Sequence, residues 1–181
     1  LGKIKVWCMG HFASTLPEIL LKNNHFIEGC IIGEPEDTAV DLIDCLNKED
    51  SLRTVKGIAF YDKNEEKIII TEQRGFIEDL DRLPSINYRL FKLERYKVFS
   101  AHIPTWRKLK WGFLLTSRGC VHKCIYCSPT LRQSYGAIMR SNGPETVVRQ
   151  IEELINEYKV NAIAFQDDNF TFDRERTIAV C

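Results

Sequence analysis

The segment Leu114–Thr130, LLTSRGCVHKCIYCSPT, sets Cys120, Cys124 and Cys127 in a C-x3-C-x2-C spacing directly after the near-continuous apolar run KWGFLLTS. A short apolar run of this kind reads as a buried strand, so the cysteines fall in the loop leaving its carboxyl end. Thiolates are soft ligands suited to iron–sulfur clusters and zinc. A cubane cluster offers four iron corners; three closely spaced cysteines hold three of them and leave the fourth open to a substrate or cofactor. A structural zinc site completed by His122 is the alternative, but zinc modules space their ligands as two separated pairs, and a histidine between loop cysteines would be crowded.

The sequence beyond the loop fits a scaffold for such chemistry. A helix is predicted from about Pro144 to Tyr158, with Val147, Val148, Ile151, Leu154, Ile155 and Tyr158 as its core stripe and Asn142 or Gly143 as its cap. Strand VNAIAFQ follows and ends in DDNF, and DRERTIAVC reads as a helix cut off after about two turns. Strand, loop, helix, strand, with polar residues at the strands' C-terminal ends, is how a β/α barrel begins, and barrels place their chemistry at that face. Asp167 and Asp168 sit there, either as caps for the helix that NFTFD leads into or as ligand contacts. Arg118 and Arg140 flank the loop and either balance negative charge or are ordinary surface arginines. Trp106, Trp111 and Tyr88 read as core packing rather than as a cofactor face.

Upstream, the pattern is strand Lys3 to Met9, loop GHFAST, a helix from about Leu16 to Asn23 with Thr15 and Glu18 spaced as a capping box, strand Phe26 to Ile32, and a helix opened by Pro35. In that second helix Ala39, Leu42, Ile43 and Leu46 recur at helical spacing. Alternating strands and helices with short loops indicate an open parallel sheet. KGIAFYD and EKIIIT then look like a hairpin turning at Lys63 and Asn64, and DLDRLPSINYRLF is irregular but apolar enough to pack. The predicted organisation is an α/β chain of three parts: 1–50, the C-terminal part of a Rossmann-like domain; 51–106, a linker with a β-hairpin; and 107–181, the first β/α units of a partial TIM barrel. Both ends read as cuts through larger domains.

Composition narrows the partners. The chain has 181 residues, 44% of them hydrophobic, and its 25 Lys+Arg balance 25 Asp+Glu. A formal net charge of 0 without long single-sign blocks gives no electrostatic support for a nucleic-acid partner, and no apolar run approaches the ~20 residues that span a bilayer. No membrane insertion and a cytoplasmic location are therefore expected. Seven cysteines without an export signal argue for reduced thiols. Cys8 and Cys30, in apolar strand-like runs, read as inert buried thiols.

The cysteine spacing, with Tyr126 before the last thiol, resembles the cluster motif of radical S-adenosylmethionine enzymes, and TSRGC and DDNF resemble its cobalamin-binding branch. GHFASTLPEIL and CIIGEPEDTAVDLI resemble the last part of that branch's Rossmann-like cobalamin-binding domain. The resemblance implies that Cys120, Cys124 and Cys127 bind a [4Fe-4S] cluster whose fourth iron is chelated by the amino and carboxylate groups of S-adenosylmethionine. One electron would then cleave the sulfonium to a 5'-deoxyadenosyl radical. It further implies that Tyr126 packs near the adenine, that Asp167 or Asp168 contacts the amino group or ribose, and that Gly10, Gly33 and Glu34 border cobalamin. The glycine positions agree physically, since backbone must come close to a ligand at the ends of parallel strands. The D-x-H-x-x-G segment common in such domains is absent, and His11 reads as a loop histidine with a local hydrogen bond rather than a cobalt ligand.

The implied activity is radical chemistry, often methyl transfer from methylcobalamin to an unreactive carbon of a small-molecule or other substrate, with an electron donor such as flavodoxin or ferredoxin. Two alternatives stay open: a radical methylthiotransferase, which would need a further cysteine set where Cys8, Cys30 and Cys45 lie apart, and a non-catalytic iron–sulfur or zinc module. With only two barrel strands in view, this stretch alone is expected to be inactive.

Overall fold

The computed structural model describes residues 4–91, 109–127 and 129–181; Trp106 lies outside them. Two compact units emerge, one comprising Leu1–Ile77 and Gly119–Ile138, the other Glu78–Arg118 and Met139–Cys181. Among the described residues no helix is long and apolar enough to cross a membrane.

In the first unit the order is β1 (Val6–Cys8), α1 (His11–Thr15), α2 (Pro17–Asn23), β2 (Ile27–Ile31), α3 (Pro35–Lys48), β3 (Ile58–Asp62) and β4 (Lys67–Ile70). β1 and β2 pair in parallel, as the alternation of strand and helix predicts, with Cys8 opposite Cys30. The hairpin expected in a linker joins the same sheet. β3 lies antiparallel to β2, with Ile31 opposite Ile58, so the sheet is four-stranded and mixed, in the order β1-β2-β3-β4. Its turn is longer than the sequence suggested, because the Asp62 carboxylate accepts hydrogen bonds from the Asn64 and Glu65 amides and holds residues 63–66 outside the ladder. Cluster Ile31, Leu42, Cys45, Val55, Ile58 and Phe60 packs α3 on the sheet, and a second cluster of Ala13, Leu21, Ile27, Cys30 and Ala59 packs α1 and α2.

Three local expectations fail for identifiable reasons. GHFAST is not a loop, because His11–Thr15 closes one helical turn. That turn claims Thr15, whose hydroxyl donates to the His11 carbonyl at 2.7 Å, so the predicted capping box with Glu18 does not form and Leu16 occupies the N-cap of α2 without a side-chain bond. In α3 the buried face runs through Thr38, Leu42 and Cys45, leaving Ile43 more than half exposed. Pro35 at its first turn, with Glu36 and Asp37 beside it, matches the orphan amides and positive dipole end of a helix start.

In the second unit β5 (Trp111–Leu114) and β8 (Ala162–Phe165) pair in parallel, Trp111 opposite Ala162 and Leu114 opposite Phe165, with α5 (Pro144–Tyr158) between them in sequence. Leu114, Leu154 and Val160 are buried at its core, with Tyr88 and Tyr158 packed against it and edge to face with one another. The KWGFLLTS run does not continue as one strand. It breaks after Leu114, and Ser117–Arg118 forms a short strand β6 antiparallel to β7 (Arg140–Ser141). Val148 and Ile155, predicted in the core stripe of α5, are exposed, because the buried face centres on Thr146, Val147 and Leu154. Gly143 occupies the N-cap of α5, as expected, and Asp81 supports it from 62 residues upstream, its carboxylate accepting from Gly143 N at 3.1 Å and from Asn142 Nδ2 at 3.0 Å. The chain continues into α6 (Arg174–Val180), capped by Asp173 rather than by Asp167 or Asp168.

Candidate cluster loop and cofactor-binding strand ends

The cysteine loop belongs to the first unit and is anchored at its base. Gly119 has φ +86°, and a Cβ there would lie 2.2 Å from the Ile138 carbonyl oxygen and 3.0 Å from that of Tyr135. Only glycine both adopts the left-handed conformation at low cost and fits this backbone approach. Across the loop, Arg132 Nη1 of α4 (Pro129–Tyr135) donates to the His122 carbonyl at 2.8 Å. The Cys127 amide donates to the Cys124 carbonyl at 3.1 Å, a single tight turn.

All seven cysteines are thiols, none in a disulfide, with Cys120 half-buried and Cys124 and Cys127 exposed. As the loop lies, no group of three or more His, Cys, Asp or Glu among the described residues stands close enough to hold a metal ion. The donor set nevertheless suits a cluster, being three thiols on eight residues that directly follow a fixed glycine, and iron ligation and loop ordering are linked equilibria. Tyr126 is 91% exposed beside Cys127.

α4 carries the loop onto α1. His11 Nδ1 hydrogen-bonds the Ser134 hydroxyl at 3.0 Å, and its ring meets Tyr135 edge to face at 5.5 Å. The ring of His11 is thus bonded to a partner 123 residues away rather than locally. Gly10 and Gly33 follow the C-terminal ends of β1 and β2 with φ of +102° and +80°, and nothing lies within 4 Å of a Cβ built on either. The Gly33 amide donates to Ser14 Oγ at 2.9 Å, tying the turn after β2 to α1. Beside them opens a cleft of about 390 Å³ whose polar lining is uncharged: Ser14, Thr15, Thr71, Gln73 and Gln133. Glu34 does not line it. Its side chain is 6% exposed and accepts from the Ile77 amide at 2.7 Å, locking the turn into α3.

In the second unit Asp167 and Asp168 follow β8 and differ sharply. Asp168 is exposed. Asp167 Oδ1 accepts from the Thr116 amide at 3.1 Å, from the Thr116 hydroxyl at 2.8 Å and from the Ser117 hydroxyl, while its Oδ2 is buried and meets no hydrogen-bond donor among the described residues. Behind them Arg176, 8% exposed, donates from Nη2 to the Thr116 hydroxyl oxygen at 2.7 Å and from Nε to the Asn142 carbonyl at 2.8 Å. Arg118 and Arg140 stand directly opposite one another across β6 and β7. Sequence reasoning missed Asp81, Thr116, Ser134 and Arg176. Of these, Thr116 opens the TSRGC run and Arg176 lies three residues after a capping aspartate, whereas Asp81 and Ser134 carry no local signal.

Burial, more than the nearby Cys8, pushes the Cys30 thiol up to about 11, in keeping with an inert core position. Burial also pushes the Asp81 carboxyl up, but hydrogen bonds from Asn142, the Gly143 amide and Thr146, with the Arg149 charge, bring it below its ordinary value.

No family model matches the chain. In sequence it is 29% identical over 171 residues to an uncharacterized methyltransferase of Pyrococcus horikoshii, covering 94% of this chain and 35% of that protein. It is 26% identical over 186 residues to cytidylyl-2-hydroxyethylphosphonate methyltransferase of Streptomyces wedmorensis (92% and 34%). It is 29% identical over 149 residues to anaerobic magnesium-protoporphyrin IX monomethyl ester cyclase of Synechocystis (82% and 27%). The chain thus spans about a third of the length of the curated relatives it matches. In structure it is similar to the cobalamin-dependent S-adenosylmethionine radical enzyme OxsB, solved with aqua-cobalamin and S-adenosylmethionine bound (TM-score 0.73, 20% identity, 97% of this chain and 23% of that one). It is also similar to the radical S-adenosylmethionine methyltransferase TsrM of Kitasatospora setae, solved with cobalamin and a [4Fe-4S] cluster (TM-score 0.66, 17% identity, 97% and 33%). The chain has the mixed α/β fold of one segment of the cobalamin-dependent radical S-adenosylmethionine enzymes, and its sequence is similar to methyltransferases.

Proposed function

We propose that this chain is a cofactor-handling segment of a cobalamin-dependent radical S-adenosylmethionine enzyme, acting in methyl transfer or related radical chemistry. The observation that carries the reading is the C-x3-C-x2-C loop springing from Gly119, where a Cβ has no room. Cys120, Cys124 and Cys127 would hold three irons of a [4Fe-4S] cluster and leave one for S-adenosylmethionine. When bound, the cluster supplies the electron for reductive cleavage of S-adenosylmethionine.

The remaining residues bind and orient. Asp167 is the better of the two aspartates for the ligand's amino group, because its Oδ2 is buried without a donor whereas Asp168 faces water. Tyr126, exposed on the loop, has an aromatic face to offer the adenine. Gly10 and Gly33 leave open space at two strand ends for a corrinoid, and the hydroxyls and amides of the adjoining cleft suit the amide fringe of a corrin better than charged groups would. Glu34 would act at one remove, by fixing the turn after Gly33. A one-electron donor such as flavodoxin or ferredoxin and a small-molecule substrate complete the scheme.

The test is corrinoid retention by the full-length protein purified anaerobically. At Gly33, Ala adds only the strain of a positive φ, whereas Leu also fills the space beyond Cβ. The reading expects the visible corrinoid spectrum in the wild type, retention in Gly33→Ala and loss in Gly33→Leu. Full-length protein that takes up neither corrinoid nor iron under reducing conditions overturns it.

A further inference from the structure

We propose that Arg176 is a positioning residue for ligand binding at Asp167, acting through the Thr116 hydroxyl. The inference rests on the reading that Asp167 Oδ2 accepts a hydrogen bond from the amino group of S-adenosylmethionine. It adds how that carboxylate is made ready.

A threonine hydroxyl has one proton to give and lone pairs to receive with, and a guanidinium can only donate. Arg176 Nη2 donates to Thr116 Oγ1 at 2.7 Å, so the single hydroxyl proton of Thr116 is left for Asp167 Oδ1, 2.8 Å away. Without the guanidinium that hydroxyl can rotate; with it, one orientation satisfies both neighbours. The Thr116 amide and the Ser117 hydroxyl bring the donors on Oδ1 to three and saturate it. The carboxylate plane is thereby fixed and Oδ2 is kept for an incoming donor, the arrangement expected where a ligand group is preorganised by the shell behind it.

Arg176 is itself held for the task. It is 8% exposed at the first turn of α6, with its amide capped by Asp173 at 3.0 Å and its guanidinium 5.5 Å from the Phe170 ring centre. Its two other bonds go to the Asn142 and Thr116 carbonyls at 2.8 and 3.1 Å, which tie the turn after β5 to the start of α5. A buried cation that spends its hydrogen bonds on backbone carbonyls and one hydroxyl, with the carboxylate one residue further on, relays its charge rather than forming a direct ion pair.

The test uses the full-length protein with its cluster reconstituted, measuring dissociation constants for S-adenosylmethionine and for its analogue lacking the α-amino group, together with iron content and melting temperature. Thr116→Val removes the relay hydroxyl with little change of shape; Thr116→Ser restores it; Arg176→Gln removes the charge. The expected result is about tenfold weaker S-adenosylmethionine binding in Thr116→Val and in Arg176→Gln, recovery in Thr116→Ser, and no more than a twofold change for the deamino analogue in any of them. The double variant should bind no worse than the single ones. Asp167→Asn is the separating control. If it leaves S-adenosylmethionine binding intact, the assignment of Asp167 fails. If it weakens binding while Thr116→Val does not, or if both ligands weaken equally in the Thr116 and Arg176 variants, the relay fails and Arg176 is only structural.

Discussion

Gly119→Ala is the perturbation whose size follows most directly from the geometry. The residue sits at φ +86°, and an alanine there pays the left-handed penalty of about 1–2 kcal/mol. Its Cβ would also stand 2.2 Å from the Ile138 carbonyl oxygen, and that neighbour is backbone, which cannot rotate aside as a flexible side chain could. Overpacking of this kind adds roughly 1–3 kcal/mol, for a total of about 2–5 kcal/mol. Gly33→Ala is the internal control. Its φ is +80° but nothing lies within 4 Å of its Cβ, so it should cost only the first part, about 1–2 kcal/mol. Denaturant unfolding of the two variants in full-length protein measures the difference, and iron uptake measures whether Cys120, the next residue, still reaches its place. Gly119→Ala should be the less stable of the pair and should lose most of its iron. Equal stability of the two, with iron uptake in Gly119→Ala as in the wild type, would refute the argument that this glycine sets the loop.

Asp81→Ala should destabilise the protein by about 0.5–2 kcal/mol at neutral pH through loss of its support of the α5 N-cap. The folded carboxyl sits below its ordinary value, so that contribution is complete above the usual carboxylate range and is lost as pH falls through the folded pKa; unfolding curves of wild type and variant should therefore converge in acid, and a gap that persists there contradicts the assignment. Thiol labelling of the iron-free protein at mildly alkaline pH, read by peptide mass mapping, should modify Cys124 and Cys127 well before Cys30, which is 0% exposed and has its thiol pushed up to about 11.

The parts of this molecule legible in the sequence are those governed by local periodicity or fixed spacing. α5 and the strand after it announce themselves because 15 residues of helix carry a strong apolar stripe between Gly143 and an apolar run. The cysteine loop is legible for a chemical reason: no packing argument needs three thiols in eight residues. What stayed hidden depends on partners distant in sequence. Nothing around Asp81 says that it will support a helix N-cap 62 residues later, and nothing in RERT says that Arg176 will turn inward to Thr116. The single turn of α1 is too short to show a period, and once formed it takes Thr15 from the capping box that its spacing with Glu18 suggested. The hairpin was visible as two arms, but which strand it would join was not, since pairing of β3 with β2 is a choice made by the whole sheet.

The central claim, that Cys120, Cys124 and Cys127 ligate a cluster with one open iron, is met most directly by metal and sulfide analysis of full-length protein after anaerobic reconstitution with iron and sulfide. About four irons and four sulfides per chain are expected in a brown, air-sensitive species, abolished by alanine at any one of the three cysteines and unaffected by Cys30→Ala. Stoichiometric zinc in place of iron, or a full complement of iron in Cys124→Ala, would contradict it.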